Sequence, residues 1–514
     1  MKSSFLFIFS FFGLALGFSA EPPAVRASVY SQFTLVVCNK NAPGSEDLAR
    51  YYASAREIAS RNVIVLDCPT TEEISRKDFV AKIHDPLRDA LLAGGWWMPT
   101  RDAETGKQSL RSEIKVLALM HGVPVKIREE KFVTDSGKIS AASVDSELCT
   151  LGQPGLTTEG PLANPYYGSE VPFHSANLPI MLVGRVDGPN AKICRRMIDD
   201  TIKAEVGGLW GQAYVDSGAG SGVSQAWLDS ATAQLRRIGI PVMADSYRDP
   251  LPTMYPMGDP ILYYGSGHEM THGPFLKRGI VLQPGAVACH VHPRNGATLR
   301  SSEEHWAGPL LARGASSVLC NAYETPDELA HQLDLFTNRL TRGFTFIESA
   351  YIAQQGVSWT NLAIGDPLYV PFPNLRNSLD QSQFHQESEA MPYQVLRVAY
   401  ARWGEGNPFP ERTLFYKLEL ATAKNPKPEL FEHLALSALE TGDYDEARIQ
   451  LKRAEAAYTE PRDKLRMKLH EGEMYRRQKD RLDAFKAFRN AAQEFPDLPE
   501  SEAAVEWMNT VKGG

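Results

Sequence analysis

Residues 33–39 read FTLVVCN, residues 45–58 read SEDLARYYASAREI and residues 62–68 read NVIVLDC. The first and third are short apolar runs rich in β-branched side chains. The second sets Leu48, Ala49, Tyr52 and Ala55 at helical spacing behind Ser45, a side chain suited to capping a helix N-terminus. Strand, helix and strand in succession predict parallel pairing with a right-handed crossover. The alternation continues with a helical stretch over about Arg76 to Leu92 and the strand IKVLALMHGVPV from Ile114. Between about Glu129 and Ser175 the periodicity fades among Gly, Pro, Ser and Thr, which predicts long surface loops. It then resumes with LPIMLVGRVDG from Leu178, a helix over Ala191 to Ala204, a strand over Gln212 to Asp216 and a helix over Val223 to Ile238. IPVMADS, ILYYGSGH, GAVACHVH and SSVLCNAY follow as strands, with a helix over Glu303 to Ala312 before the last. These runs are apolar throughout rather than alternating, as strands covered on both faces are. The expected fold class is therefore α/β, a doubly wound and mostly parallel sheet over 33–373, whose ligands would bind beyond the strand carboxyl ends.

The rest of the chain bounds this reading. A length of 514 residues leaves room for about three or four domains. Charged residues at 23% and hydrophobic residues at 43% are ordinary globular usage and exclude wholesale disorder. A formal charge of −8 provides no general attraction for nucleic acid, and no local basic patch stands out, so no nucleic-acid partner is expected. Lys2, the apolar run Phe5 to Leu16 and small residues ahead of Glu21 read as a signal peptide over 1–19, which implies export to the periplasm or beyond. No later run reaches the length that spans a bilayer. The six cysteines include no C-x-x-C pair, and most lie in or beside apolar strands, so buried thiols are expected.

Beyond Phe372 the sheet pattern stops. Residues 374–427 read as a linker with connecting helices, and 428–511 as helices alone. Gly442-Asp443-Tyr444, Ala447, Leu451 and Ala454 recur 37 positions later as Lys479-Asp480-Arg481, Ala484, Phe488 and Ala491. These positions resemble the tetratricopeptide helix pair, which implies a protein-binding module. Because the sheet pattern is already closed, the module is expected to be an accessory that the main fold does not need.

The stretch from Phe33 to Pro373 resembles a family of uncharacterised exported bacterial proteins found in genomes with an exosortase sorting system. The matching residues are Asn39 and Ser45, Tyr51-Tyr52 and Arg56, His121-Gly122-Val123-Pro124, Arg185-Val186-Asp187-Gly188, Gly285-Ala286-Val287-Ala288, Trp306 with Leu310-Leu311, and Ser358-Trp359 with Ile364 to Phe372. More distantly, Tyr263 to His268, the strand ending at Cys289, the Trp306 helix and Gly365-Asp366-Pro367 are similar in order to the caspase and gingipain group of cysteine peptidases. That resemblance implies a caspase-like sheet, with a histidine after one strand and a nucleophilic cysteine ending the next.

Five of the 12 histidines fall between His268 and His305 and flank two predicted strand ends. Imidazole serves as a base or as a metal ligand. Three readings stand. A cysteine peptidase or related hydrolase would use Cys289 as nucleophile and His268 or His272 as base. A metal-dependent hydrolase would use His290 and His292, two apart on one strand face, with a carboxylate such as Glu324, Asp216 or Asp187. A non-catalytic member of the fold would keep these side chains packed and act in envelope protein handling through its helices. His121, and Arg185 with Asp187, are further candidates at strand ends. No phosphate-binding glycine motif is present, so nucleotide binding has no motif behind it, and no Ser sits in G-x-S-x-G; the cofactor is left open.

Overall fold

The computed structural model describes residues 28–101, 108–129, 140–152, 159–175, 178–217, 220–245, 247, 249–277, 279–373, 391–403 and 427–513. The signal segment 1–19 lies outside them, as does most of the linker, within which Met391–Trp403 is a helix.

Ten strands form one sheet: β1 Thr34–Asn39, β2 Val63–Leu66, β3 Val116–Met120, β4 Leu182–Val186, β5 Gln212–Asp216, β6 Val242–Asp245, β7 Pro260–Ser266, β8 Val287–Val291, β9 Ser317–Asn321 and β10 Asn361–Ile364. Their spatial order is β6-β5-β7-β8-β9-β10-β4-β3-β1-β2. Read from each edge inward, both halves have the same arrangement: second strand, first, third, fourth, then a fifth. Every pairing within a half is parallel. The halves meet at β9 and β10, which run antiparallel. The sheet is thus mostly parallel, as expected, but it is two similar five-stranded units set head to tail. The fifth strand of the first unit, β10, is delivered by the chain only after the second unit is complete.

The alternation of apolar runs and helices produced this order because β1 to β9 are strands of four to seven residues joined by crossovers, nearly all of them buried, with the edge strand β2 partly exposed at Val65. Helix α1, Ser45–Ala55, packs on β1 and β2; α2, Asp85–Ala93, packs on β2; and α3, Ala191–Gly207, lies beside α1. Helix α4, Gly222–Arg237, covers β5 to β7, and α5, Ala307–Ala312, packs on β9. Two further helices, α6 Leu333–Thr341 and α7 Phe346–Ile352, precede β10, in a stretch to which the sequence pattern assigns nothing. Side-chain caps fix several starts: Asn190 accepts the Ile193 N–H, Ser221 the Ser224 N–H, and Thr345 with Glu348 forms a reciprocal capping box.

The C-terminal region is five consecutive helices: α8 Pro428–Thr441, α9 Tyr444–Ala457, α10 Pro461–Arg477, α11 Arg481–Glu494 and α12 Ser501–Gly513. Gly442 closes α8 at φ 76°, and Lys479, at φ 63°, takes the same left-handed turn after α10. A lysine in that conformation costs about 1 kcal/mol that glycine avoids. Among the described residues no helix is long and apolar enough to cross a membrane.

The helical region does not stand apart from the sheet. Tyr214 and Tyr255 from the α/β part share one buried cluster with Leu465, Leu469, Phe488 and Trp507. Trp507, 2% exposed, lies 5.5 Å from the Tyr255 ring and 5.3 Å from Phe488. At the edge of the contact, Arg477 donates to the Ala244 carbonyl, Lys277 pairs with Glu502, and Glu506 accepts the Thr253 N–H. A shared core of this kind departs from the expected dispensable accessory. Trp507→Ala should lower the unfolding free energy by about 3–5 kcal/mol. Urea unfolding followed by far-UV dichroism and by aromatic fluorescence should give one coincident transition for the wild type; two separate transitions would show that the regions fold independently.

Candidate functional site

The carboxyl ends of β7 and β8 gather most of the clustered histidines. Because successive side chains on a strand alternate in direction, β8 sends Cys289 and Val291 to one face and His290 to the other. Cys289 joins the cluster containing Leu262, Tyr264 and Leu319, whereas Tyr263 and Trp306 belong to the cluster on the opposite side. His290 lies on that opposite side, its ring stacked on Trp306 with centroids 3.5 Å apart and planes within 7°. His272 stands edge-on to Trp306 at 4.9 Å and to His290 at 5.5 Å, and His268 lies 4.5 Å from His272. The Trp306 indole N–H donates to the His268 carbonyl at 2.9 Å. Clustering in sequence is therefore clustering in space for His268, His272 and His290.

The tautomer of His290 follows from its partners. Nε2 lies 3.0 Å from the Gly267 carbonyl oxygen, which only accepts, so Nε2 carries the hydrogen. Nδ1 is then left to accept from the Tyr263 hydroxyl at 3.2 Å. Gly265 permits this contact, since a Cβ there would stand 2.5 Å from both His290 Nδ1 and the Tyr263 oxygen. Burial holds His290 well below the ordinary imidazole range, with the neighbouring His272 adding to the effect. Burial and then His268 press His272 down to about 3. Both ring nitrogens of His272 are buried without a hydrogen-bond partner. At neutral pH His272 and His290 are therefore uncharged.

The structure does not bring Cys289 to a histidine. The thiol is 3% exposed, and burial alone pushes it up to about 12, so no base or cation favours the thiolate. Nor do His290, His292 and Glu324 converge: both ring nitrogens of His290 are engaged, His292 accepts the Arg294 N–H at 3.2 Å, and Glu324 is exposed. His305, the fifth histidine of the group, has its backbone carbonyl bonded to the Thr271 hydroxyl. All six cysteines are buried and unpaired.

A second constellation occupies the carboxyl ends of β3 and β4. Arg185 and Asp187, with Arg300 and Asp145, form a buried ion network. Asp187 accepts from His121 Nδ1 at 2.7 Å, from the Gly188 N–H at 2.8 Å, from both terminal nitrogens of Arg300 at 2.6 and 3.1 Å, and from Arg185 at 3.0 Å. Arg185 also binds Asp145 and the carbonyls of Val123 and Pro124. Despite its burial, the charges of Arg300 and Arg185 and the bond from His121 hold the Asp187 carboxyl far below the usual range. An ionised carboxylate only accepts, so His121 carries a hydrogen on Nδ1. Its side chain is 17% exposed, enough for a small molecule to reach it.

His121, Asp187 and Cys194 are the one trio among the described residues whose ligand atoms lie within 4.8 Å of one another. They do not fit a cation. The Asp187 oxygens are already saturated by donors, two of them guanidinium groups, and Cys194 is driven well above its usual range by burial and by Asp187. Sequence reasoning singled out His121, Arg185 and Asp187 but missed Arg300, which lies 113 residues from Asp187 in a loop without pattern. It also missed Tyr263 and Trp306 as ring partners of His290. No local signal marks any of these contacts.

No protein family, curated protein or solved structure matches this chain.

A titration separates a packed His272 from a working one. The unfolded chain takes up the proton near pH 6.5 and the folded chain only near pH 3, so the stability from neutral His272 is complete above about pH 6.5 and is lost as pH falls toward about 3. Relative to His272→Phe, the wild type should lose about 2 kcal/mol of unfolding free energy between pH 7 and pH 5 in urea titrations. The buried carboxylates Asp216 and Asp245, raised to about 8 and about 6, respond in the opposite sense but are common to both proteins and cancel in the difference. Parallel curves for the two proteins would mean that His272 is solvated or already charged.

Proposed function

We propose that this chain is an exported, non-catalytic member of the caspase-like class of α/β proteins, acting in envelope protein handling by binding rather than by cleavage. The observation that carries this reading is the placement of Cys289 and of His268, His272 and His290 on opposite faces of β8. Strand alternation makes that separation independent of side-chain rotamers, so no small adjustment joins thiol and imidazole. Export rests on the signal-peptide reading of residues 1–19, and envelope handling on the resemblance to the exosortase-associated family. The tetratricopeptide-like helices supply the partner surface in this reading: α9 and α11 carry Ile449, 51% exposed, and Leu482, 64% exposed, away from the face packed on the sheet.

A second reading has its own observation. Asp187 accepts from His121 Nδ1 at 2.7 Å, the carboxylate–imidazole pairing that orients a general base. In that case the hydrolytic centre lies in the first half of the sheet and owes nothing to Cys289.

One set of experiments tests both. With the reduced full chain at neutral pH, iodoacetamide should leave Cys289 unmodified until the protein is unfolded, and peptide and ester panels should show no turnover. Turnover abolished by Cys289→Ala would overturn the proposal in favour of a peptidase, and turnover abolished by His121→Asn would establish the second reading. A photo-crosslinking side chain placed at Ile449 or Leu482 in cells should trap a defined protein adduct that the same group at Val206, 64% exposed on α3, does not. Equal trapping at all three positions would remove the helices from the proposal.

A further inference from the structure

We infer that a cavity of about 530 Å³ between α3 and α5 is a binding site for a small organic anion, an aryl or alkyl group bearing a carboxylate or a phosphate. The inference is independent of whether the His290 crevice or the helical module binds a partner. The site is formed where the carboxyl end of β4 meets the amino end of β9, at the seam between the two antiparallel halves.

Its volume is in the range of ligand pockets. The walls combine two chemistries. Ile193, Ile280 and the backbone of Gly279 and Gly314 provide apolar surface, while Lys192, Arg196 and Arg313 face Glu303 alone among the acidic lining residues. Behind the wall Asp200 pairs with Arg196 at 3.4 Å, and Glu303 faces Arg313, so Lys192 is the cation left uncompensated. The two arginines are fixed rather than mobile. Arg196 is anchored by the carbonyls of Leu311 and Ala315, both at 2.8 Å. Arg313, only 6% exposed, donates through one terminal nitrogen to the Ser302 carbonyl at 2.9 Å. Its Nε is buried with no hydrogen-bond partner, a donor left over in the wall of the cavity. Its counter-ion Glu303 is 58% exposed at 3.3 Å, a weak match for a guanidinium so deeply placed.

The first turn of α3 adds to the same bias. Asn190 caps this 17-residue helix and lines the cavity together with Lys192 and Ile193, so the unpaired amides and positive end of the helix dipole lie at the site. Among the described residues Lys192 has no ion-pair partner. A buried, partnerless guanidinium donor, a helix N-terminus and the uncompensated Lys192 around an apolar floor all favour one ligand type. A hydrated inorganic ion would leave the isoleucines unused, and a neutral aromatic would leave Lys192 uncompensated and the Arg313 Nε–H unpaired.

Isothermal titration of the full chain with phenyl phosphate, phenylacetate, inorganic phosphate and benzyl alcohol tests this. Either aryl anion should bind at one site per chain, more weakly as sodium chloride is raised, with inorganic phosphate at least about tenfold weaker and benzyl alcohol silent. The stronger of the two aryl anions identifies the head group. Lys192→Glu, an exposed change, should weaken binding by about tenfold or more and leave the melting temperature unchanged; Arg313→Lys, which keeps the charge but removes Nε, should weaken it too. No binding of either aryl anion at millimolar concentration, binding of benzyl alcohol as tight as theirs, or unchanged affinity in Lys192→Glu would overturn the assignment.

Discussion

The buried guanidinium of Arg56 holds the two halves of the sheet to one another through a single strand. On one side it binds Asp366, in the turn that directly follows β10, and on the other Glu205 near the end of α3. Asp366 also accepts from the Tyr52 hydroxyl and the Leu368 N–H, and Glu205 accepts the Val370 N–H. The last four residues of the sheet and the chain leaving it are thereby tied to α1 and α3, the first crossover helix and the last of the first unit. Without β10, β4 and β9 would each present an unpaired edge at the centre of the molecule. Removing either partner of this cluster leaves charge buried without compensation, a loss of about 3–5 kcal/mol that the four-residue strand could not offset.

Equal positions in the two units carry opposite chemistry. In the first, Val186 pairs with Met120 at the last register position; in the second, Val291 pairs with Ser266. One step back, Arg185 and His290 are therefore equivalent, and both are buried completely or nearly so. Arg185 answers burial with two carboxylates and two carbonyls. His290 answers it by staying neutral, between a tyrosine hydroxyl, a carbonyl and an indole face. The turn after the third strand carries a left-handed glycine in both units, one position out of step: Gly122 at φ 96° follows His121, and Gly267 at φ 93° precedes His268. The same backbone device thus positions an imidazole held by an ionised carboxylate in one half and an imidazole among rings in the other.

Nearly all of the parallel framework was legible because a strand buried on both faces must be apolar along its whole length. FTLVVCN and GAVACHVH are such strands, whereas NVIVLDC is equally apolar but forms the sheet edge, with Val65 exposed. β10 was not legible, since NLAI is too short to show a period and its strand direction depends on which neighbour it finds. The histidine cluster was visible as composition, yet its meaning lay in alternation at Cys289 and His290, and alternation required the strand to be regular to Val291. Arg300, Trp306 and Arg313 act through partners far along the chain or through backbone carbonyls, and sequence spacing carries no trace of either. The repeat of α8 to α11 was readable from small residues at helix contacts, whereas its docking on Tyr255 was not, because the apolar positions that face the sheet obey the same period as those that face the next helix.

That docking changes what the helices can do. The apolar cluster that contains Trp507 and Tyr255 also contains Tyr263 and Trp306, the ring partners of His290. Ring contacts run from Trp507 to Tyr255 at 5.5 Å and on to Tyr214 at 6.4 Å; Tyr214 stands opposite Tyr263 on the neighbouring strand, and Tyr263 lies 6.2 Å from Trp306. A close-packed interior resists continuous deformation, so displacing α12 from the sheet must either leave the ring cluster untouched or rearrange it as a unit. The neutral state of His272 and His290 favours the first outcome, because opening the cluster to water restores their basicity and places like charges beside one another. The helical region is docked on the sheet through this cluster and through the Arg477–Ala244, Lys277–Glu502 and Glu506–Thr253 contacts at its edge, so the helices and the strand ends are joined by several routes, of which the Tyr255–Trp507 contact is the apolar one.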